Sequence, residues 1–367
     1  MPTVYIHKLP DWPRFHWDYN ALAVQLANVR FQQGKLIGEM KSIGFSLQEE
    51  AVVQTLTQDV VKSSEIEGQI LNQAQVRSSV AQRMGVDIGG LVPSDRNIDG
   101  VVEMLLDATR NFNVELSKER LFSWHSALFP TGYSGLHPIT VGAWRKGPMK
   151  VISGPYGHEH THFEAPEADR VEQEMTAFVD WFNNENSTDL VLKAGIAHLW
   201  FVTIHPFDDG NGRISRALAD MLLARSENSY QRFYSMSTQI RQGRDAYYDH
   251  LEAAQKGSMD ITETLGWFLD CMNRALAGAR GSLSKILQRA KFWDSIAGQT
   301  LNERQRKIIT MLLEDFKGNL TSSKWAAICK CSQDTATRDI NNLVERGILS
   351  KGPSGGRSTN YLLVKRE

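Results

Sequence analysis

Twelve consecutive residues, HPFDDGNGRISR from His205 to Arg216, gather a histidine, two carboxylates, two glycines around an asparagine, and two arginines. Such a run is a poor core segment, because charged groups are costly to bury without partners. It suits chemistry on an anion. Gly210, Asn211 and Gly212 let the backbone turn tightly and come close to a ligand. Consecutive amide N–H groups ahead of a helix form a concave anion site, and the helix dipole adds positive potential. Arg213 and Arg216 then lie on the first turn of that helix, three apart, where both reach one anion. Cations are unfavourable at a helix N-terminus unless an anion is present. Asp209 beside a phosphate would be repelled unless a cation lay between them, which points to Mg²⁺. His205 is the side chain of this run that takes up a proton near neutral pH. Together these groups describe transfer from a nucleoside polyphosphate, with His205 activating a hydroxyl. Phe207 has no polar role and reads as the apolar anchor of the loop.

Helices must position this loop. Periodic patterns predict helices over residues 20–43, 47–62, 100–111, 117–129, 167–184, 189–204, 214–225, 244–255 and 261–279. Ser46 with Glu49 has the spacing of a capping box. Trp12, Phe15 and Trp17 read as an aromatic cap on the helical layer. The apolar run from Leu190 to Ile204 holds Lys193 and His198 and is too short to span a membrane, so it is expected as a buried helix. Gly, Pro and Trp punctuate residues 130–166, where Trp144–Ser153 reads as a hairpin around Lys146 and Gly147. From Leu301 the pattern is three helices, the Gly-rich turn GPSGGRS and the strand NYLLV, the arrangement of a helix-turn-helix with a wing.

HPFDDGNGRISR fits every position of the Fic-family signature, His-x-Phe-x-(Asp/Glu)-Gly-Asn-Gly-Arg-x-x-Arg, and the chain resembles that family. The resemblance implies an all-α fold: a helical core with a short β-hairpin flap, followed here by the small winged helix-turn-helix. It implies transfer of AMP from ATP to a Ser, Thr or Tyr hydroxyl of a target protein and of the chain itself, with release of pyrophosphate. By the resemblance, His205 deprotonates the hydroxyl and Asp209 holds Mg²⁺. Asn211 and the amides of Gly210 and Gly212 bind phosphates with Arg213, and Arg216 meets the γ-phosphate. GAWRKGPMKVISG is similar to the flap that aligns a target segment, and Tyr247 and Tyr248 to the adenine contacts.

VKSSEIEGQI resembles the family's inhibitory motif, with Ser63 and Glu67 in the key places ahead of the catalytic loop. Arg216 needs an anion, and a carboxylate at Glu67 can supply one by a charge-assisted pair that shuts out the γ-phosphate. The expected layout is 1–110, an N-terminal helical region with the inhibitory motif; 111–280, the catalytic core; 281–300, a linker helix; and 301–367, the winged helix.

The totals fit this reading. The chain has 367 residues and a net charge of −1, so it has no global pull toward nucleic acid or anionic membrane. Cys271, Cys329 and Cys331 make no disulfide framework, and the N-terminus has no apolar signal region. A cytoplasmic chain without membrane contact is expected. A second class of function is a DNA-binding regulator, with the core as a nucleotide sensor. Gln333, Thr335, Thr337, Arg338, Asn341 and Asn342 on the recognition helix and Arg357 in the wing would be its contacts, while Asp334 and Asp339 oppose tight phosphate contact. A third is removal of AMP from modified proteins at the same site. DNA and a second copy of the chain are thus candidate partners beside ATP and a target protein. His158, His160 and His162 alternate as metal ligands could, yet no matching ligand set stands nearby in sequence, so a loop beside the flap is expected.

Overall fold

The structure is a computed structural model that describes residues 4–87, 90–153, 158, 160–313, 316, 318–352 and 359–364. The described residues form two compact units, one up to Leu283 and one from Ser284.

In the first unit the helices are α1 (Tyr19–Lys41), α2 (Phe45–Ile66), α3 (Gln73–Met84), α4 (Arg96–Arg110), α5 (Lys118–Leu128), α6 (Val171–Asn184), α7 (Leu190–Ile204), α8 (Asn211–Glu227), α9 (Met236–Gln242), α10 (Arg244–Gln255) and α11 (Thr262–Ser282). Two small antiparallel hairpins interrupt them, β1 (Tyr133–Ser134) with β2 (His137–Pro138), and β3 (Lys150–Ser153) with β4 (His160–Glu164). The core is built on α7, whose residues from Val191 to Ile204 are all buried. A helix apolar on every face can only sit inside the fold. It packs along α8, which α4 also covers. Helix α2 lies against α3 and α9 and reaches α8. Trp12 and Phe15 meet Trp200 of α7 edge-on, at ring separations of 6.2 and 5.8 Å, so these two aromatics cap the helical layer.

Three local expectations are corrected. Gly44, not Ser46, precedes α2, and no side chain caps it. Helix α3 lies where no helix is expected, although Asn72 caps it through the amides of Ala74 and Gln75 and Gly85 ends it in the left-handed region. The hairpin does not turn at Lys146 and Gly147: Lys150 pairs with Glu164 and Ser153 with His160, so the partner strand is the histidine-bearing segment itself. The residues joining the two strands, apart from His158, lie outside the described set.

The second unit holds α12 (Ser284–Ser295), α13 (Glu303–Leu313), α14 (Ser322–Cys329), α15 (Gln333–Glu345) and the hairpin of β5 (Leu349–Lys351) with β6 (Tyr361–Leu363). Its core gathers Trp325, Ile308, Ile309, Ile340 and Leu343, and Phe292 and Ile296 join it. Helix α14 ends on Lys330 in the left-handed region, and the Ser332 hydroxyl accepts the Thr335 amide to start α15. The turn therefore falls at Cys331 and Ser332. Residues 353–358 of the glycine-rich turn, with Arg357, lie outside the described set. Asp339 does not oppose ligand contact from the surface of α15: it is buried against Arg304, 2.7 Å away, and Asn302.

Candidate active site

The loop leaves α7 at His205, whose backbone is left-handed at φ 52°. A non-glycine residue in that conformation costs about 1–3 kcal/mol and persists only where its surroundings over-determine it. They do so here. The Asn211 side chain accepts the Phe207 amide at 3.0 Å and donates to the Phe207 carbonyl at 2.8 Å, which clamps the loop across its mouth. Phe207 is fully buried, stacked on His125 with ring centres 4.2 Å apart. Arg145, itself buried, donates to the carbonyls of His205 at 2.8 Å, Gly147 at 2.8 Å and Pro166 at 2.6 Å. His125 accepts the Gly142 amide on Nδ1 and meets the Asp209 carbonyl through Nε2 at 3.2 Å. Burial holds its pKa down to about 4, so it is a neutral brace and not an acid or base at neutral pH.

His205 Nδ1 lies 3.2 Å from the Val202 carbonyl. A carbonyl can only accept, so the proton sits on Nδ1 and Nε2 keeps its lone pair. Burial lowers the pKa of this imidazole, and the bond to Val202 works against the shift. The ring is therefore a neutral base at neutral pH.

Gly210 precedes α8 in the left-handed region at φ 83°, and a Cβ there would stand 2.9 Å from the Phe129 ring. A Cβ on Gly212 would stand 2.2 Å from Oε1 of Glu67. The Glu67 carboxylate thus lies over the first turn of α8, where an anion is favoured. It accepts Nη2 of Arg216 at 2.8 Å. The Ser63 hydroxyl accepts Nε of the same arginine at 2.9 Å, and the Ser63 carbonyl accepts Nη2 at 2.9 Å. Ser63 and Glu67 stand four apart on α2 and its cap, so one helix face grips one guanidinium. Gly68, left-handed at φ 79°, ends α2 there and lets Gln69 turn back to accept Arg213 Nη1 at 2.9 Å. Burial works against the charge of Arg216, and Glu67 together with Tyr247 and Tyr248 outweighs it, leaving the guanidinium pKa raised. Burial lowers that of Arg213.

Two buried donors here, Arg213 Nε and Arg216 Nη1, have no hydrogen-bond partner. Buried polar atoms are nearly always paired, and such an exception calls for a reason. Two guanidinium nitrogens without acceptors fit an anion larger than one carboxylate. Asp209 accepts the Gly210 amide at 2.5 Å and the Ser134 hydroxyl, lies 3.8 Å from Arg213, and keeps 41% of its side chain exposed. One accessible carboxylate beside an anion cradle suits Mg²⁺ held mainly by phosphate and water.

The two tyrosines separate. Tyr247 is interior, 2% exposed, with its hydroxyl 3.0 Å from His198 Nε2. Tyr248 is half-buried and, with Arg244 over its ring, lies at the end of α2: Arg244 Nε donates to the Ile66 carbonyl at 2.7 Å and the Tyr248 hydroxyl at 3.4 Å. Arg145, His125, Gln69 and Arg244 were not singled out from the sequence. Gln69, two residues past Glu67, and Arg145, inside the flap stretch, stood close enough to a recognised motif to be found.

Comparison with known proteins places this geometry. Residues 115–223 match the family model described as Fic/DOC family, and residues 5–86 match a domain of unknown function (DUF4172). The curated relative "Protein adenylyltransferase Fic" of Drosophila willistoni is 30% identical over 223 residues, 60% of this chain and 40% of that protein. Its counterpart in Drosophila yakuba is 30% identical over 276 residues, 72% of this chain and 51% of that protein. The chain thus spans about half or less of the length of these relatives. The crystal structure of a Fic family protein from Desulfovibrio desulfuricans G20 matches with a TM-score of 0.62 and 21% identity, over 96% of this chain and 98% of that one. A Fic domain containing signaling protein from Bacteroides thetaiotaomicron matches at a TM-score of 0.52 and 20% identity, over 71% and 97%. At such identities the likeness speaks for the fold.

Proposed function

The chain carries a Fic-family domain, and from that premise we propose that it is an autoinhibited protein adenylyltransferase. The observation that carries the reading is His205: its Nδ1 is committed to Val202, and its basic Nε2 belongs to a loop that opens into a cradle with unpartnered guanidinium nitrogens. A target hydroxyl gives its proton to Nε2 while its oxygen attacks the α-phosphorus of ATP. The P–O bond to the β-phosphate breaks, and pyrophosphate carries away the electron pair. Arg213 and the amides at the start of α8 hold the triphosphate, and Arg216 takes its γ-phosphate once Glu67 withdraws. Mg²⁺ on Asp209 would supply charge neutralisation for the phosphates when bound. Tyr248, the more accessible tyrosine, is the better candidate for the adenine side. Strand β3 sits in a two-stranded sheet, so its outer edge offers backbone groups for strand addition by a target segment.

The test uses ATP labelled at the α- or the γ-phosphorus, with Mg²⁺ and Glu67→Gly protein. Label from the α-position should enter protein, label from the γ-position should not, and His205→Ala should abolish transfer. Incorporation of γ-label, or transfer indifferent to His205→Ala, contradicts the reading. Release of AMP from the labelled product by wild-type protein would assign the reverse task to the same site.

DNA binding is supported by one observation: Gln333, Thr337, Arg338 and Asn341 are exposed along α15. A salt-dependent gel shift lost in Arg338→Ala is its test. No helix of the described residues is long and apolar enough to cross a membrane.

A further inference from the structure

We propose that His160, His162 and Glu252 form a zinc site that staples the β3–β4 hairpin to α10. Their ligand atoms all lie within 4.8 Å of one another. Zinc bonds of about 2.0–2.2 Å in tetrahedral geometry set ligand atoms roughly 3.3 Å apart, so small side-chain rotations close the set. The third ligand comes from 90 residues beyond His162, on another element, which is why sequence spacing alone concealed it.

The donors select the metal. Two imidazoles and one carboxylate suit zinc, whereas Mg²⁺ and Ca²⁺ prefer oxygen alone. Three protein ligands leave a fourth position for water or for a group on a docked chain. The surroundings are arranged as a metal site requires. The register of the hairpin slips at His162, which is the extra residue of a β-bulge between the pairs Val151–Phe163 and Ile152–Thr161. Bulges re-aim side chains and favour functional places. His162 and His160 rings stand 4.7 Å apart. His162 turns Nδ1 to Glu252 Oε2 at 2.5 Å and Nε2 to the Ser153 hydroxyl at 2.6 Å. With Nδ1 on a metal, Nε2–H would donate to Ser153, the outer contact that fixes a ligating ring. Lys256 pins the other oxygen of Glu252 and leaves Oε2 for the ion.

The site is separate from the Asp209 loop and does not depend on AMP transfer. It ties the hairpin to the helix that carries Arg244 and Tyr248, the residues at the end of the inhibitory helix.

The experiment uses the full chain, free of any affinity tag, equilibrated with Zn²⁺ and then dialysed. Metal analysis should find about one zinc per chain, and added Zn²⁺ should raise the melting temperature where Mg²⁺ does not. Both effects should vanish in Glu252→Gln and in His160→Asn. Ser153→Ala should keep the site and weaken its affinity by about tenfold or more. Co²⁺ in place of zinc should give the visible band of a four-coordinate nitrogen and oxygen set, without the thiolate charge transfer that Cys329 or Cys331 would add. Wild-type protein that holds no more zinc than Glu252→Gln, or a thiolate spectrum, overturns the proposal.

Discussion

At the scale of single residues, the loop works because its shape is enforced from outside. His205 is held left-handed, Phe207 is sunk in the core, and Asn211 spends its amide on the loop backbone. Two predictions follow from the residues that enforce it. Arg145→Lys retains the charge but cannot reach the carbonyls of His205, Gly147 and Pro166 together. Buried acceptors left without a donor cost about 1–3 kcal/mol each. Urea unfolding of the variant should show a loss of roughly 3 kcal/mol or more, and the Glu67→Gly background should lose transfer activity in step. The lowered pKa of His205 sets the acid limit. Its base form survives below the ordinary histidine value, so the kcat/KM of Glu67→Gly protein should stay level as pH falls past about 6.5 and decline only below it. A decline centred at or above that value would contradict a desolvated base. The residues of the loop were legible because its chemistry is local, twelve residues in a row. His125 and Arg145 were not, because the points of the loop that they hold, at Asp209 and His205, lie 84 and 60 residues away along the chain. A lone histidine or arginine gives no sign of such partners.

At the scale of elements, α2 and α8 meet along matching four-residue steps. Asp59, Ser63 and Glu67 on one side answer Asp220, Arg216 and Gly212 on the other. Asp59 is buried, and its carboxyl is held above the ordinary range first by burial and then by Asp220, while Arg232 and Ser235 oppose the shift. A raised native pKa means that the folded protein holds a proton the unfolded chain has released. That stability is complete below the unfolded carboxylate value and is lost as pH rises through the native one. Asp59→Asn removes the titration. Between about pH 5 and about pH 8 wild-type urea midpoints should fall relative to those of Asp59→Asn, and a constant gap would show that Asp59 does not hold its proton. Helix α7 was legible from its unbroken apolar run and α10 from its period. Helix α3 was not, because it buries only Val76, Val80 and three small residues. The hairpin was misplaced because Lys146-Gly147 has turn chemistry, yet its backbone is spent on Arg145 and not on a ladder.

At the scale of the molecule, the two units have cores of their own. The groups of the candidate active site all lie in the first. Trp325 is fully buried at the centre of the second. Trp325→Ala should cost that unit about 3–5 kcal/mol, while self-labelling in the Glu67→Gly background persists at a similar rate. Loss of labelling would mean that the second unit supports the site. Comparison of the initial rates of α-labelled AMP incorporation for wild-type and Glu67→Gly protein asks the central question: does one carboxylate on Arg216 hold the enzyme off? A charge-assisted bond of about 1.5–3 kcal/mol corresponds to a release of roughly ten- to a hundredfold. That gain should disappear when Arg216→Ala is added to both proteins. Equal rates for wild type and Glu67→Gly, measured while His205 remains essential, would contradict the account.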